Sequence, residues 1–511
     1  MAKIQSPSGT RDMYPADLLK RRYIEKLWRD TSIRHGFEEI DGPTFETADL
    51  YAVKSGEGIL NEVFQVYSGK DEAEVSRIRG GANAPYALRP EFTPTLARMY
   101  AAKAGSLAKP TKWFWQQNCF RAEKQQRGRL REFGQWNCDF LGTPPLDIEP
   151  TAQYPAELHE FLGTTMSEAD AIAVLVGSLE LSGLLPKDVK THIGSRPMVS
   201  AIMGECGVAD DQIGAALQLL DKRSKSKPSD FRALVEATGL RLDEFDARSK
   251  QVAGNVAEGW ALTTYSTPSG TKDVQRAVAE LFSLQRHLRS SGVSDWCQID
   301  FGIARGLAYY TGTVFEVLAD GERAIAGGGR YDNLIELFGG PATPAVGFGM
   351  GDVVLSLVLQ DRGLMPEGDA LMDALSRPSA SYRPDVFVIP AGQSPEEQEA
   401  AAKAVRPLVA KLRRGVESKA YQDNEQRKPW DANRYEAASG GSMPLHARAS
   451  SKATKNIGKL LQDAAGQKAK LAVIVENAEE VTIKDLRTNQ QDAARTKIVE
   501  LGRVVAERLD S

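Results

Sequence analysis

The sequence predicts a multidomain protein with an α+β core, a helical insertion within that core and a C-terminal α/β domain. Apolar, strand-like runs at 113–115 and 140–141 flank a basic loop, which predicts a β-hairpin. Strand-like pieces bracket a polar, mostly helical stretch at about 200–290. Strands and helices alternate after residue 384, which is typical of a partly parallel sheet covered by helices. A chain of 511 residues is long enough for about two to four such domains.

The core is predicted to combine amphipathic helices with short strands. Helices are expected over 16–34, 95–104, 169–181 and 352–359. Strands are expected over 37–40, 86–88, 189–193, 298–301 and 314–318. Gly327 to Arg330 is expected to form a glycine-rich turn before a helix that runs through Leu337.

A loop-like, proline-containing region at 363–384 is predicted to separate the core from the tail. The resulting domains are 1–365, a linker at 366–383, and 384–511. In the tail, strands are expected over 386–389, 471–475 and 481–485, and helices over 395–414, 451–465 and from about 492 onward. The polar stretch 415–447 is weakly patterned and is assigned no fixed structure.

The composition is that of an ordinary globular protein, with 42% hydrophobic and 26% charged residues and a formal net charge of −4. No run of about 18 apolar residues and no signal-peptide pattern occurs, so a cytoplasmic protein without a membrane anchor is expected. The four cysteines and five histidines are dispersed along the chain. This spacing favours a reducing compartment and predicts no metal site built from side chains.

The segment from Phe120 to Gln135 is the most informative part of the chain. It places four arginines, two glutamates and two phenylalanines in and beside the loop of the predicted hairpin. These residue types suit a nucleoside triphosphate, because guanidinium groups bind phosphates, a ring stacks on the base and an acid accepts from an exocyclic amine. A solvated basic turn is the alternative for such a segment in isolation.

Three further motifs make the phosphate interpretation more specific. Residues 303–312 join an arginine to paired tyrosines, residues 326–330 offer a backbone with few side chains, and residues 88–93 place a carboxylate and a hydroxyl beside a strand end. Each has an ordinary explanation: a surface arginine with aromatic packing, a common glycine turn, and a helix cap at Thr93.

In order and combined content, these motifs resemble those of the class II aminoacyl-tRNA synthetases, and specifically the histidyl-tRNA synthetases. The resemblance covers nearly the whole chain, and it is carried by residues 9–12, Pro43, 88–93, 121–133, 305–310 and 328–332. It implies a core sheet of the class II synthetase type, mixed and largely antiparallel. It also implies a dimer with Pro43 in the interface motif, an insertion that clamps the tRNA acceptor stem, and a C-terminal anticodon-binding domain.

The resemblance assigns the ATP site to five residues. Arg121 would bind the α-phosphate, and Arg305 would face the same phosphate from the opposite side as the catalytic arginine. Glu123 would accept from the adenine amino group, Phe133 would stack on the adenine, and Arg129 would lie near the outer phosphates.

The resemblance also assigns a site for the substrate histidine. Its amino group would be held by Glu91, Thr93 and Gln135. Its imidazole would be reached by Asp139 and Tyr310, with Tyr309 as the other tyrosine of the pair.

The implied reaction uses these groups for electrostatic stabilisation. The carboxylate of histidine attacks the α-phosphorus of ATP, so two anions must approach each other. Guanidinium groups and Mg²⁺ offset their repulsion and stabilise the charge that develops on the phosphoryl oxygens. A ribose hydroxyl of the terminal tRNA adenosine then attacks the histidyl-adenylate.

The sequence departs from the family pattern at several positions. The third motif ends in Gly351-Asp352-Val353-Val354, so the arginine expected at position 354 is absent. Ala308 and Ala122 replace an aspartate and a histidine, and Asp139 is one methylene shorter than the expected glutamate. We expect Arg129, Arg127 or another nearby cation to serve the outer phosphates.

Two alternatives remain open at this point. One is a synthetase-like regulatory paralogue of histidine biosynthesis, which binds histidine without charging tRNA. The other is a tRNA-like RNA-binding module with a degenerate core. For tRNA contact the tail offers basic side chains at Lys403, Lys411, Arg413, Arg414, Lys452, Lys455 and Lys459, although most solvated helix faces carry similar charges.

Overall fold

A computed structural model describes residues 4–55, 60, 62–142, 165–220, 223, 227–257, 272–303, 310–414, 444–450, 452 and 454–510. The core begins with the helices α1 (Pro15–Arg34), α2 (Ala48–Ser55), α3 (Glu72–Arg79), α4 (Thr93–Lys103) and α5 (Met166–Leu181). Its strands are β1 (Glu38–Glu39), β2 (Phe45–Thr47), β3 (Gln65–Val66), β4 (Tyr86–Leu88), β5 (Thr111–Phe120), β6 (Glu132–Leu141), β7 (Val189–Ser195), β8 (Cys297–Ile299), β9 (Thr313–Ala319), β10 (Ala326–Arg330) and β11 (Ala345–Gly351).

An eight-stranded sheet organises the core, in the order β1-β5-β6-β11-β10-β9-β7-β8. The pairs β1/β5 and β7/β8 at its two ends are parallel, and the five pairs between them are antiparallel. The predicted mixed, largely antiparallel sheet is therefore confirmed. A small sheet, β2-β4-β3, lies beside it.

The two faces of the large sheet differ because side chains alternate along each strand. One face, here called the helix face, carries large apolar side chains such as Trp136, Phe140 and Phe348, all buried in the main hydrophobic core. The indole of Trp136 stacks on that of Trp28 from α1, with ring centroids 5.9 Å apart. The opposite face, here called the site face, carries mainly polar residues and glycines on β6 and β11, whereas Trp113 and Trp115 of β5 pack there against α4 in a second hydrophobic cluster.

The parallel pairing of β7 and β8 requires a crossover connection, and the described residues of that connection form five α-helices. They are α6 (Arg196–Glu205), α7 (Ile213–Leu220), α8 (Pro228–Glu236), α9 (Leu242–Ala257) and α10 (Lys272–Ser290). The last of them is amphipathic and buries Leu281, Leu284 and Leu288 in the same hydrophobic cluster as α5. The earlier helices add residues to this cluster too, among them Val199 of α6, Leu217 of α7 and Phe245 of α9.

The core ends with α11 (Leu334–Leu337), α12 (Asp352–Asp361) and α13 (Gly368–Ser376). The C-terminal domain contains the strands β12 (Val386–Pro390), β13 (Ala447–Ala449), β14 (Leu471–Val475), β15 (Glu480–Asp485), β16 (Gln490–Gln491) and β17 (Thr496–Lys497). Its helices are α14 (Pro395–Arg414), α15 (Ile457–Gly466) and α16 (Leu501–Asp510). The strands β13, β12 and β14 are parallel, and β15 to β17 join antiparallel, which matches the predicted α/β tail.

A buried charge cluster joins the two domains. Asp170 on α5 accepts from Lys112 of β5 at 2.8 Å and from Arg406 of α14 at 2.9 Å. Burial alone would raise the pKa of Asp170, but the charges of Lys112 and Arg406 outweigh it and hold that pKa well below its usual range. Arg414 adds an ion pair with Glu180 at 3.3 Å. Because a buried charge without a partner is costly, these contacts favour one arrangement of α14 on the core.

Most predicted elements are confirmed to within a few residues, and three expectations were wrong. The glycine-rich turn at 327–330 is the strand β10, because a bare backbone is what allows Phe315 and Phe348 to meet across Gly328. The loop predicted at 363–384 contains α13, whose Leu371 is buried on the core. The last helix starts at 501 instead of about 492, because residues 490–497 pair with β15. Residues 415–443 lie outside the described residues.

None of the described helices is long and apolar enough to cross a membrane.

The burial of two histidines, His446 and His287, should make the free energy of unfolding depend on pH. Burial, reinforced by nearby arginines, lowers the pKa of His446 to about 4 and that of His287 to about 3. In the unfolded chain both would titrate near a pKa of about 6.5. As pH falls below about 6.5, the unfolded state binds protons first, so the free energy of unfolding decreases until about pH 4.

We expect His446→Asn to flatten this dependence by up to about 1.4 kcal/mol per pH unit, since one proton is removed from the linkage. Denaturant titrations at several pH values between 4 and 7 would measure it, and His287→Asn should flatten the curve by a similar amount. An unchanged slope in both variants would contradict the buried, neutral state of these imidazoles.

Candidate active site

A cavity of about 2110 Å³ opens on the site face of the large sheet. Its walls come from the β5–β6 hairpin, from the loop between β4 and α4, from β9 to β11, and from α9 and α10. Seven residues predicted for ATP or histidine lie in its lining: Glu91, Thr93, Arg121, Arg129, Phe133, Gln135 and Tyr310. Residues about 220 positions apart in the chain are thus brought to one cavity.

Glycines form the floor of the cavity, because they occupy the site-face positions of two adjacent strands. On β11 these positions are Gly347, Gly349 and Gly351, and Gly327 of β10 pairs with Gly349. A methyl group at Gly349 would lie 2.9 Å from the side-chain nitrogen of Gln135. The bare backbone therefore makes room for long polar side chains from the neighbouring strand β6.

The polar side chains of β6 follow one another along the site face as Phe133, Gln135, Asn137 and Asp139. The Gln135 amide donates to the Asn137 side-chain oxygen at 2.7 Å, so these two amides hold each other in place. Both are less than one-tenth exposed and line the cavity. Asn137 is a site residue that the motif analysis did not single out, although the period of two residues along β6 identifies it.

Asp139 lies deeper than the cavity lining and is almost completely buried. It accepts a hydrogen bond from the hydroxyl of Tyr331, and Tyr331 itself lines the cavity. Burial, together with the charge of Asp139, raises the pKa of the Tyr331 hydroxyl well above its usual range, so this group stays protonated and donates. Asp139 therefore does not line the cavity itself, but it orients the hydroxyl of Tyr331, which does.

The hairpin strand β5 ends where Arg121 begins the connecting loop. The Arg121 guanidinium lies over the ring of Phe133, 4.9 Å from its centroid, and its Nε donates to the carbonyl of Pro90 at 3.1 Å. One face of the phenyl ring is thus covered, and the arginine head is fixed at the cavity wall. A flat ligand ring would stack on the opposite face of Phe133.

The tip of the hairpin is closed by paired backbone hydrogen bonds between Gln126 and Arg129, of 3.0 and 2.9 Å. Arg129 forms an ion pair with Glu123, which joins the two sides of the loop. Glu123 lies outside the cavity lining, next to Arg129, which lies within it. The structure therefore places the two predicted residues together, with the glutamate already engaged by the arginine.

Asp352 anchors the base of the hairpin. This buried carboxylate accepts from the backbone nitrogen of Gly134 at 2.8 Å and from Arg11 at 2.7 Å. The backbone of Arg131 also donates to the carbonyl of Gly9 at 2.8 Å. The N-terminal loop, the hairpin and the start of α12 are thus tied together, and the unusual Asp352 has a clear structural role.

Arg89 holds the loop that carries Glu91 and leads into Thr93, the first residue of α4. Its guanidinium donates to the carbonyls of Asn118 at 2.8 Å and Gly42 at 3.1 Å, and it lies 4.6 Å from the ring centroid of Trp115. Sequence analysis missed this residue, because its three partners lie far from it in the chain.

Arg330, next to Tyr331, has a structural role. It makes a bidentate ion pair with buried Glu168 of α5, with both N–O distances at 2.7 Å, and contacts Asp332 at 3.1 Å. Burial alone would lower the pKa of Arg330, but the charges of Glu168 and Asp332 outweigh it and raise that pKa further. The pair fixes β10 against α5 on the helix face.

The far end of the cavity, near α9 and α10, is polar and contains charges of both signs. Its lining includes Lys190, Lys250, Arg289 and Asp300. His192 forms a 2.8 Å hydrogen bond with Asp300, and this bond lowers the pKa of the aspartate. This end of the cavity is suited to a larger, charged ligand.

Two of the predicted site residues, Arg305 and Tyr309, lie outside the described residues. The neighbouring Tyr310 is described, and Gly329 approaches its ring so closely that a methyl group there would lie 2.9 Å from Cδ1. The opposition of Arg121 and Arg305 across one phosphate remains a prediction.

A mixed sheet with packed helices and an arginine-bearing cavity on one face fits the core of a class II aminoacyl-tRNA synthetase. The family model described as histidyl-tRNA synthetase matches residues 9–351. The chain is 36% identical over 374 residues to the histidine–tRNA ligase of Opitutus terrae, covering 72% of this chain and 77% of that protein. It is 32% identical over 411 residues to the histidine–tRNA ligase of Thermococcus kodakarensis, covering 80% of this chain and 84% of that protein.

Among solved structures, histidyl-tRNA synthetase from Nostoc sp. PCC 7120 has the same fold, with a TM-score of 0.54 at 19% identity over 99% of this chain and 100% of that one. The chain belongs to the histidyl-tRNA synthetase family.

The glycine floor gives a prediction about stability. A methyl group at Gly347 would collide with the carboxylate of Asp139, whereas Gly351 has extended backbone, and a methyl group there would have no atom within 4 Å. We expect Gly347→Ala to lower the free energy of unfolding by about 1–3 kcal/mol, as overpacking of a core does.

The matched control Gly351→Ala should change the free energy of unfolding by less than about 1 kcal/mol. Denaturant unfolding of both variants would measure the difference. Equal effects would show that the close approach of β11 and Asp139 does not constrain the fold.

Proposed function

We propose that the cavity on the site face is where this chain activates histidine with ATP and transfers the histidyl group to tRNA. The observation that carries this proposal is the convergence of Arg121, Phe133, Gln135 and Glu91 on one cavity in a chain of this family. Activation requires an aromatic surface for adenine, a cation for the α-phosphate and acceptors for the amino group of histidine, and the cavity offers each of them.

For ATP, we propose that adenine stacks on Phe133 while Arg121 binds the α-phosphate. Because Arg121 is already fixed by the Pro90 carbonyl and the phenyl ring, little reorganisation is needed when phosphate charge develops. Glu123 would accept from the adenine amino group through its second carboxylate oxygen, since the first binds Arg129. Arg305 is proposed as the opposing cation on the same phosphate.

For histidine, we propose that Glu91, Thr93 and Gln135 hold the ammonium group. They approach from two sides of the cavity: the loop held by Arg89, and the strand β6. The imidazole would lie towards Tyr310 and towards Tyr331, whose hydroxyl is oriented by Asp139. Tyr309 is proposed as a further contact.

Mg²⁺ is proposed to enter with ATP as part of that substrate. Within the described ranges no group of three His, Cys, Asp or Glu side chains is arranged to hold a metal ion. Magnesium bound to a nucleotide keeps several waters and uses phosphate oxygens as ligands, so few protein ligands are needed. The cation would reduce repulsion between the histidine carboxylate and the phosphates.

The tRNA is proposed to bind across both domains. The cavity exceeds the range of about 300–1,000 Å³ that is common for small-molecule sites. Its far end, with Lys190, Lys250 and Arg289, would admit the 3′ end of the tRNA. The helices α6–α9 would hold the acceptor stem and the C-terminal domain would read the anticodon. A cytoplasmic homodimer with Pro43 in its interface is part of the same proposal.

The direct test is ATP–pyrophosphate exchange with each amino acid in turn. Exchange that depends on histidine alone is the expected result. Binding of histidine without exchange would contradict activation and favour a regulatory role instead.

We expect Arg121→Gln to lower kcat for this exchange by about 10²–10³, since one fixed donor to the developing phosphoryl charge is lost. Arg503→Gln is the matched control, because this exposed arginine pairs only with Glu507 in α16 among the described residues. The control should retain full exchange. A normal kcat for the Arg121 variant would show that Arg121 does not stabilise the charge that develops on the phosphate.

A further inference from the structure

We propose that Arg323, in the turn between β9 and β10, binds the outer phosphates of ATP at the mouth of the cavity. This inference rests on the proposed function, because it assumes that the triphosphate lies in the cavity. It names a cation that the motif analysis did not consider, from a different part of the chain than the hairpin.

The end of the cavity at the hairpin tip is here called its mouth. Arg127, Arg129 and Arg323 line the cavity there. Arg127 is engaged by two carboxylates, because it contacts Glu322 at 2.7 Å and Asp361 at 2.9 Å. Two carboxylates thus share this guanidinium. Moving it to a phosphate would leave both of them without their partner.

Arg129 is engaged as well, because its guanidinium forms an ion pair with Glu123 across the loop. That pair joins the two sides of the hairpin and orients the carboxylate proposed for adenine. If Arg129 turned towards the outer phosphates, Glu123 would lose the contact that holds it.

Arg323 differs from both in the charge of its partner. Its guanidinium donates to the neutral side-chain amide of Gln126, and it makes no ion pair with any carboxylate in the part of the chain that the structure describes. The side chain is exposed at the cavity mouth, so a ligand can reach it. Exchanging the neutral amide oxygen for a phosphate oxygen gives a hydrogen bond in which donor and acceptor are both charged, and such a bond is stronger.

The position of Arg323 also matches the place of the missing arginine. Val354 stands where the motif predicts an arginine, and it packs against the hairpin tip at Gly128. A methyl group on Gly128 would lie 3.2 Å from Val354 Cγ2 and 3.5 Å from Arg323 Cδ. The two side chains therefore flank the same glycine, and a cation at 323 can serve the space that one at 354 would have served.

The experiment measures KM for ATP in histidine-dependent pyrophosphate exchange. Arg323→Gln should raise KM for ATP about tenfold or more, since a charge-assisted hydrogen bond is lost, and leave KM for histidine unchanged. AMP lacks the outer phosphates, so its inhibition constant should stay the same. Arg323→Lys should give a KM for ATP between those of the original protein and Arg323→Gln, because lysine keeps the positive charge but lacks the planar guanidinium that can donate two parallel hydrogen bonds.

Rescue and control variants complete the test. Adding Val354→Arg to Arg323→Gln should return KM for ATP to within about threefold of the original. Arg503→Gln should leave KM for ATP unchanged, because this exposed arginine of α16 pairs with Glu507 and lies outside the cavity lining. The inference is overturned if Arg323→Gln leaves KM for ATP unaltered, or if AMP inhibition weakens as much as ATP binding. Absence of histidine-dependent exchange in the unaltered protein would instead overturn the proposed function.

Discussion

The alternation of side chains across the large sheet is the constraint on which the rest of the structure depends. Trp136, Phe140 and Phe348 turn to the helix face and bury against α1 and α5. The intervening positions must then face the other way, where Gln135, Asn137 and Asp139 lie beside the glycines of β11. A shift of register by one residue would exchange the two sets, so the core and the cavity are specified together.

The polar groups around this cavity are held by hydrogen bonds and ion pairs with residues from distant segments of the chain. Arg89 binds carbonyls of β5 and of the loop before β2, and Asp352 joins the N-terminal loop to the hairpin. Catalysis by positioning and charge benefits from such fixed groups, because they need not reorganise when the phosphate reacts. The chain contributes this rigidity through hydrogen bonds to backbone groups more than through ion pairs exposed to solvent, which stabilise little.

Sequence alone was sufficient where the signal is local. The hairpin and the helix over 395–414 follow from residue type and spacing. The family resemblance pointed to Arg121, Phe133 and Gln135, and the structure places all three side chains at one cavity. Sequence alone was insufficient where the pairing register of distant strands determines the local structure. Because glycines generally disfavour strands, the sequence predicted a turn at 327–330. The strand found there depends on Phe315 and Phe348, which both approach Gly328 so closely that a larger residue would not fit.

The same limit explains which site residues were missed. Arg323 carries no motif, and its place beside Gly128 and Val354 depends on how the β9–β10 turn meets the hairpin tip. Asn137 was within reach of sequence reasoning, because it continues the alternation of Phe133 and Gln135 along β6. The resemblance assigned Asp139 to the histidine ring, which stays a prediction. Its hydrogen bond with Tyr331, more than 190 residues further on, could not be derived from the sequence.

A crystal structure with a non-hydrolysable histidyl-adenylate analogue tests the central claim most directly. We expect its adenine to stack on Phe133, with the group that replaces the phosphate within about 3 Å of an Arg121 nitrogen. The histidyl amino group should then contact Gln135 over the glycine floor. An analogue bound away from the site face of the sheet, or one that leaves Arg121 and Gln135 without contact, would contradict the account.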